Sequence, residues 1–140
     1  MRYKKSYLQT HDLDYFFIKD GKYCHAASAG GDLPASVNNV RILRNLQRLV
    51  HELPFLFKEN EIIINRQRII QLKGNKIIDF NITDYIDTFV QFARKGFYSY
   101  DRTNLEDIDS NQYHVVASPP YEIKVNLSIP EYNKFECDEM

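Results

Sequence analysis

Tryptophan is missing from this 140-residue chain, and cysteine, glycine and proline are scarce, at two, five and five residues. Two cysteines so far apart, Cys24 and Cys137, do not make the dense disulfide framework of a small secreted scaffold. The few glycines and prolines exclude collagen-like and low-complexity compositions. Long apolar runs are lacking as well: Ile62-Ile63-Ile64 is typical of the longest, against about 20 residues for a membrane-spanning helix. The first residues, Arg2, Lys4 and Lys5, begin like a signal peptide, but His11, Asp12 and Asp14 stand where its apolar stretch would follow. The reading is a cytoplasmic protein with no membrane partner.

An excess of charge is lacking too. Lys and Arg number 18 against 19 Asp and Glu, a formal charge of −1, which argues against a dedicated nucleic-acid binder or an acidic solvating tail. Near-neutrality hides segregation, however. Residues 41–76 carry eight cations and three anions, whereas residues 82–140 carry five cations and eleven anions. A locally basic contact surface is therefore compatible with the composition.

What the chain does have is apolar residues at 44% and charged residues at 26%, enough for one domain of this size to bury a core without metal or disulfide. The clearest local signal is a hairpin. Aromatic and β-branched residues on either side of Asp20-Gly21 suit a two-residue type I′ turn, which would place Ile18 opposite Tyr23, Phe17 opposite Cys24 and Phe16 opposite His25. A helix is expected over 40–53, capped by Asn38 or Asn39 and closed by Pro54, with Leu43, Leu46, Val50 and Leu53 on its apolar face. A second is expected from the Asn81 cap to Gly96, with Tyr85, Ile86, Phe89, Val90, Phe92 and Ala93 on its apolar face.

Between the helices, runs at 55–57, 61–64, 68–72 and 76–80 read as a β-meander with a turn at Gly74-Asn75. Further strands are expected at 97–100, 113–117 and 121–128, the last with Ile123, Val125 and Leu127 on one face. Residues 130–140 read as a flexible tail. The expected fold is α+β, a single domain over 1–140 with a mostly antiparallel sheet of short strands and two amphipathic helices packed on it.

Five features invite a functional reading. Ser28, Gly30, Gly31 and Asp32 lie between a strand and a helix, where backbone N–H groups can cradle a phosphate. The segment has neither a Walker A lysine nor the dinucleotide glycine spacing. His25 could meet Asp14 or Asp32 and serve as acid or base; Cys24, pointing to the other face of the strand, cannot be its nucleophilic partner. His11, Asp12 and Asp14 supply candidate oxygen and nitrogen ligands, but no zinc spacing occurs, so no metal and no cofactor are expected. Tyr98, Tyr100 and Tyr113, with Arg102 near them in sequence, read either as a stacking surface or as cross-strand packing.

Last, Arg41, Arg44, Arg48 and His51 fall on one arc of the first expected helix, with Lys58, Arg66, Arg68, Lys73 and Lys76 following. With no convincing catalytic constellation, the leading expectation is a small interaction module that contacts a macromolecular partner, most simply a protein, through this cationic face. Nucleic acid has no motif to support it. The rival reading is an enzyme acting on a nucleotide or phosphorylated small molecule at Gly30-Gly31. The third is a self-associating protein, a homo-oligomer joined through a sheet edge such as 121–128.

Overall fold

The computed structural model describes every residue except 75–80, 108, 125, 139 and 140. The expected 76–80 strand, the second half of the Gly74-Asn75 turn, Lys76 and Val125 lie outside the described residues. The chain runs α1 (Lys5–Thr10), β1 (Asp14–Lys19), β2 (Lys22–Ala27), α2 (Val40–His51), β3 (Ile63–Ile64), α3 (Arg66–Ile69) continuing as a π-turn (Ile70–Gly74), α4 (Ile82–Arg94), β4 (Tyr98–Arg102), β5 (Gln112–Ser118) and β6 (Glu136–Asp138). The strands form one strongly curled sheet in the order β1-β2-β4-β5-β3, with β6 also paired to β5.

The fold is α+β, but its sheet is mixed where a mostly antiparallel one was expected. The β1–β2, β4–β5 and β3–β5 pairs are antiparallel, while β2–β4 and β5–β6 are parallel. Parallel pairing joins strands distant in sequence through long connections, and local pattern carries no signal for it. The hairpin, which is local, forms in the expected register, with Asp20 at φ 50° and Gly21 at φ 79°.

The helix caps are equally local. Asn39 caps α2, its Oδ1 accepting from the backbone N–H of Arg41 and Ile42 at 3.0 and 3.1 Å. Asn38, the other candidate, instead accepts from Tyr3 N–H at 2.9 Å and so ties the N-terminus to the start of α2. Asn81 caps α4, accepting from Thr83 and Asp84. Gly96 follows that helix at φ +100°, where a Cβ would also lie 2.3 Å from the Ile123 side chain.

Four further expectations change. The 55–57 run forms no strand. The 68–72 run is helical and π-helical, because Asn65 turns the chain off the sheet edge: its N–H donates to Val116 and its side-chain amide to Val115, and Ile69 is then buried from a helical turn. The 121–128 run is not a strand among its described residues. It is anchored instead by Tyr23 Oη, which accepts the N–H groups of Asn126 and Leu127 at 2.7 and 2.8 Å. Residues from Pro130 through Asp138 are no flexible tail. Ile18 donates to Pro130 and Tyr132 donates to Ile18, Phe135 is 3% exposed, and Glu136–Asp138 completes the sheet.

Two aromatic layers sandwich the β1–β2 hairpin. On one face Tyr15, Phe17, Tyr113 and Phe135 pack together, with Phe135 4.6 Å from Phe17 and 4.7 Å from Tyr113 between ring centroids. On the other, Phe16 meets Phe92 and Phe97. Replacing Phe135 by Ala removes the ring that pins the C-terminal segment, and the expected loss is about 3–5 kcal/mol. Urea unfolding checks it; a midpoint close to that of the wild type would contradict the docking.

Candidate functional site

The hairpin register that sets Phe16 opposite His25 also sets His25 beside Ser99 of β4. His25 Nε2 donates to Asp14 Oδ1 at 2.8 Å, and its Nδ1 lies 3.2 Å from Ser99 Oγ. The ring sits between Phe16, Phe89 and Phe92, the last with its centroid at 4.1 Å. Of the two carboxylates considered as its partner, Asp14 reaches it, while Asp32 remains exposed beside Leu33 and Pro34.

An Asp–His–Ser chain invites comparison with nucleophilic hydrolysis, which needs an exposed serine and a buried carboxylate. Here the order of burial is reversed. Ser99 and His25 are each 0% exposed and only the Asp14 carboxylate reaches solvent. No substrate can approach Ser99 Oγ, so the chain acts as a buried tether that fixes a surface carboxylate. Ser99 was not legible in sequence, because its place beside His25 depends on the parallel β2–β4 pair.

The Ser28 to Asp32 loop is similarly committed to structure. The four N–H groups that would cradle a phosphate are already used: Ser28 donates to Leu13, Ala29 to Asp12 Oδ1, Gly30 to His11 and Gly31 to Ser28. Ser28 Oγ accepts from Leu13 N–H. The carbonyls of Ser28 and Ala29 accept from the guanidinium of Arg102, which also reaches the carbonyls of Asn104, Asp107 and Ser110. Arg102 is 3% exposed and has no carboxylate within ion-pair distance among the described residues. Gly31 is small because Arg102 needs the room: a Cβ there would lie 2.8 Å from Arg102 Cδ. Gly30, at φ +82°, is the one that needs a left-handed backbone.

A second buried polar centre lies around Asp101. Its carboxylate accepts a short hydrogen bond from Tyr85 Oη and pairs with Lys73 Nζ at 3.7 Å. Burial pushes the Asp101 carboxyl up, the Tyr85 bond and Lys73 opposing it. His114 Nδ1 lies 2.9 Å from Thr103 Oγ1, while its Nε2 has no hydrogen-bond partner among the described residues. Burial, then Lys73 and Arg68, hold His114 down to about 4.

Among the described residues no group of three or more His, Cys, Asp or Glu side chains could hold a metal ion. No helix among the described residues is long and apolar enough to cross a membrane.

The cationic residues of α2 remain free for contact. Arg41, Arg44, Arg48 and His51 are all exposed, while Leu43, Leu46 and Val50 are buried beneath them. None of the three arginines has an ion-pair partner among the described residues. The chain matches no family model, no curated protein and no solved structure. Of the later cations, Arg68 is taken up by Asp138 at 2.8 Å and Lys73 by Asp101, so these two are not free to extend the stripe.

The extension comes instead from α1, which the sequence did not signal. The N-terminus joins α2 through Tyr3 N–H to Asn38 and Val40 N–H to Met1, and it brings exposed Arg2, Lys4 and Lys5 alongside. Residues 1–11 and 37–51 contain no acidic side chain. Along the same N-terminal segment Tyr3, Tyr7 and His11 stack in a ladder with centroid separations of 5.3 and 3.7 Å.

Two predictions follow from the buried centres. Gly31→Ala drives a methyl group into Arg102 and frees buried carbonyls, an expected cost of about 2 kcal/mol or more; a variant melting with the wild type would contradict the packing. The unfolded imidazole titrates near 6.5, so unfolding takes up a proton at His114 between about pH 6.5 and 4. The contribution is complete above that window and lost as pH falls through it. Asp101, raised above its ordinary value, has the opposite sign: stability declines as pH rises through its raised pKa. Thermal melts of His114→Gln, which keeps a polar partner for Thr103, are expected to flatten the acid limb. An unchanged limb would assign acid sensitivity to other groups.

Proposed function

We propose that this chain is a binding module that contacts an acidic surface of a partner protein through the exposed cationic face of α2 and the adjoining N-terminal segment. The observation that carries the reading is the set Arg41, Arg44 and Arg48, exposed on a helix with no acidic residue and no ion-pair partner among the described residues. Cations left uncompensated raise the local potential and steer an oppositely charged partner toward the face. A wholly solvating role would be served as well by charges of mixed sign, which most protein surfaces carry.

The aromatic ladder favours a protein over a single-stranded nucleic acid. Base stacking requires open ring faces, and Tyr7 is already stacked against both Tyr3 and His11. The reading as an enzyme at Gly30-Gly31 draws little support, since the loop's N–H groups are internally bonded and His25 is sealed. Self-association through 121–128 loses its proposed strand among the described residues.

The test is a titration with an acidic peptide rich in Glu and Asp and with single-stranded DNA of matching charge. Wild-type protein is expected to bind the peptide in preference, with affinity falling steeply as salt rises. Arg41→Glu/Arg44→Glu/Arg48→Glu is expected to lose about 100-fold or more at low salt, with its thermal midpoint close to the wild type because all three side chains are exposed. Unchanged peptide affinity in the triple variant would overturn the surface, and preferential binding of DNA would overturn the protein partner.

A further inference from the structure

We propose that the cavity at the hairpin end of the sheet binds a small carboxylate with an apolar body. The cavity has a volume of about 290 Å³, room for about ten waters at roughly 30 Å³ each and so for a compound with a single ring. Strand register decides which side chains surround it.

Side chains opposite one another in a ladder share a face of the sheet. On β1 and β2 the partners are Lys19 with Lys22 and Phe17 with Cys24. Cys24 lies in turn beside Tyr98 of β4, and Tyr100 beside Val115 of β5. Phe135 covers one part of this face, against Phe17, Tyr100 and Tyr113. The part toward Asp20-Gly21 is left as the cavity, with Cys24, Tyr100 and Val115 buried in its lining and Lys19 and Lys22 beside them. Lys19 marks the boundary between the two parts, since its Nζ donates to the Phe135 carbonyl.

The lysine pair carries the inference. Like charges directly opposite one another destabilise a ladder, and here each is left with neutral partners. Lys19 Nζ has the Phe135 carbonyl and, at 3.9 Å, Cys137 Sγ; Lys22 Nζ stands 5.2 Å from the centroid of the Tyr98 ring. Neither has a carboxylate within ion-pair distance among the described residues, although Asp20 lines the same cavity. Two cations against that one acid leave a single positive charge, which a monoanion neutralises. A ring on one side of the Lys22 ammonium leaves donors on its other side for a carboxylate. The Tyr98 and Tyr100 rings are engaged by Lys22 and Phe135, so the ligand's body rests on the aliphatic wall of Ile63, Val115, Pro119 and Pro120, where Ile63 is 47% exposed. An apolar wall beside a few placed polar groups is the usual build of a small-molecule site.

The experiment titrates the full chain with 3-phenylpropionate, its neutral amide, 3-phenylpropylamine and acetate, following amide shifts by NMR and affinity by calorimetry. 3-Phenylpropionate is expected to bind at millimolar concentration or below, shifting Lys22, Cys24, Tyr98 and Val115, with each of the other three weaker by about tenfold or more. In Lys22→Gln the carboxylate is expected to lose its advantage over the amide, and in Lys22→Arg to keep it. Equal wild-type affinity for 3-phenylpropionate and either the amide or acetate would overturn the proposal, as would shifts mapping away from the cavity or no binding at all. The wild-type ligand series decides the matter even if a variant fails to fold. Arg41→Glu/Arg44→Glu/Arg48→Glu is expected to bind 3-phenylpropionate as the wild type does, which separates this site from the contact surface on α2; loss of binding there would also overturn it.

Discussion

A guanidinium buried without a carboxylate must be surrounded by other acceptors, because an unsatisfied charge inside a protein is too costly to keep. Arg102 finds them in the carbonyls of two loops, 28–29 and 104–110, that are far apart in sequence. This closes one end of the sheet: the loop leaving β2 and the loop leaving β4 are held by the same side chain. The second loop carries Glu106, Asp107 and Asp109, and their charge offsets that of the buried cation at longer range. Much that looked functional in the Ser28 to Asp32 segment is explained by this one interaction, since the loop's carbonyls point at Arg102 and its N–H groups turn back to the chain that precedes β1.

The features that were legible in sequence are those decided within about ten residues. Asp20-Gly21 sets the hairpin register because only a turn tolerating positive φ at both positions matches strand twist. Asn39, Asn81 and Gly96 end their helices through bonds or backbone angles of their own neighbours. The 68–72 run shows the limit of such reasoning. Its Ile69 and Ile70 have high β-propensity, but propensity is weaker than the hydrogen bonds Asn65 makes across to β5. The C-terminal segment fails for the complementary reason. Its composition is polar, and its docking rests on Phe135, placed in an aromatic cluster built from β1, β4 and β5, with Tyr132 against Phe17 and backbone bonds to Ile18 and β5 beside it.

The same distinction applies to the candidate sites. His25 and Asp14 could be paired on paper because hairpin register places His25 on the face of Phe16, and Asp14 lies two residues before it. Ser99 could not, since it arrives through the parallel pair. The α2 arginines were legible from helical periodicity alone. Arg68 and Lys73 were misplaced with them because a linear sequence does not show that Asp138 and Asp101 neutralise those two cations.

The aromatic richness, nineteen Tyr and Phe, has a physical explanation that bears on function. A sheet this strongly curled leaves wide, shallow volumes on both faces, and flat rings packed edge to face fill them at low rotamer cost. Phe16, Phe97 and Phe92 do so on one side, and Phe17, Tyr113 and Phe135 on the other. Rings spent on packing are not available as contact surface, which moves the weight of any recognition onto charge. Charge, in turn, is distributed unevenly: residues 1–11 and 37–51 carry no acidic side chain, and Arg68 of α3 and Lys73 of the π-turn are paired with Asp138 and Asp101. Exposed cations without an ion-pair partner among the described residues thus concentrate along the outer arc of α2, at Arg41, Arg44 and Arg48, which is why the proposed contact is placed there.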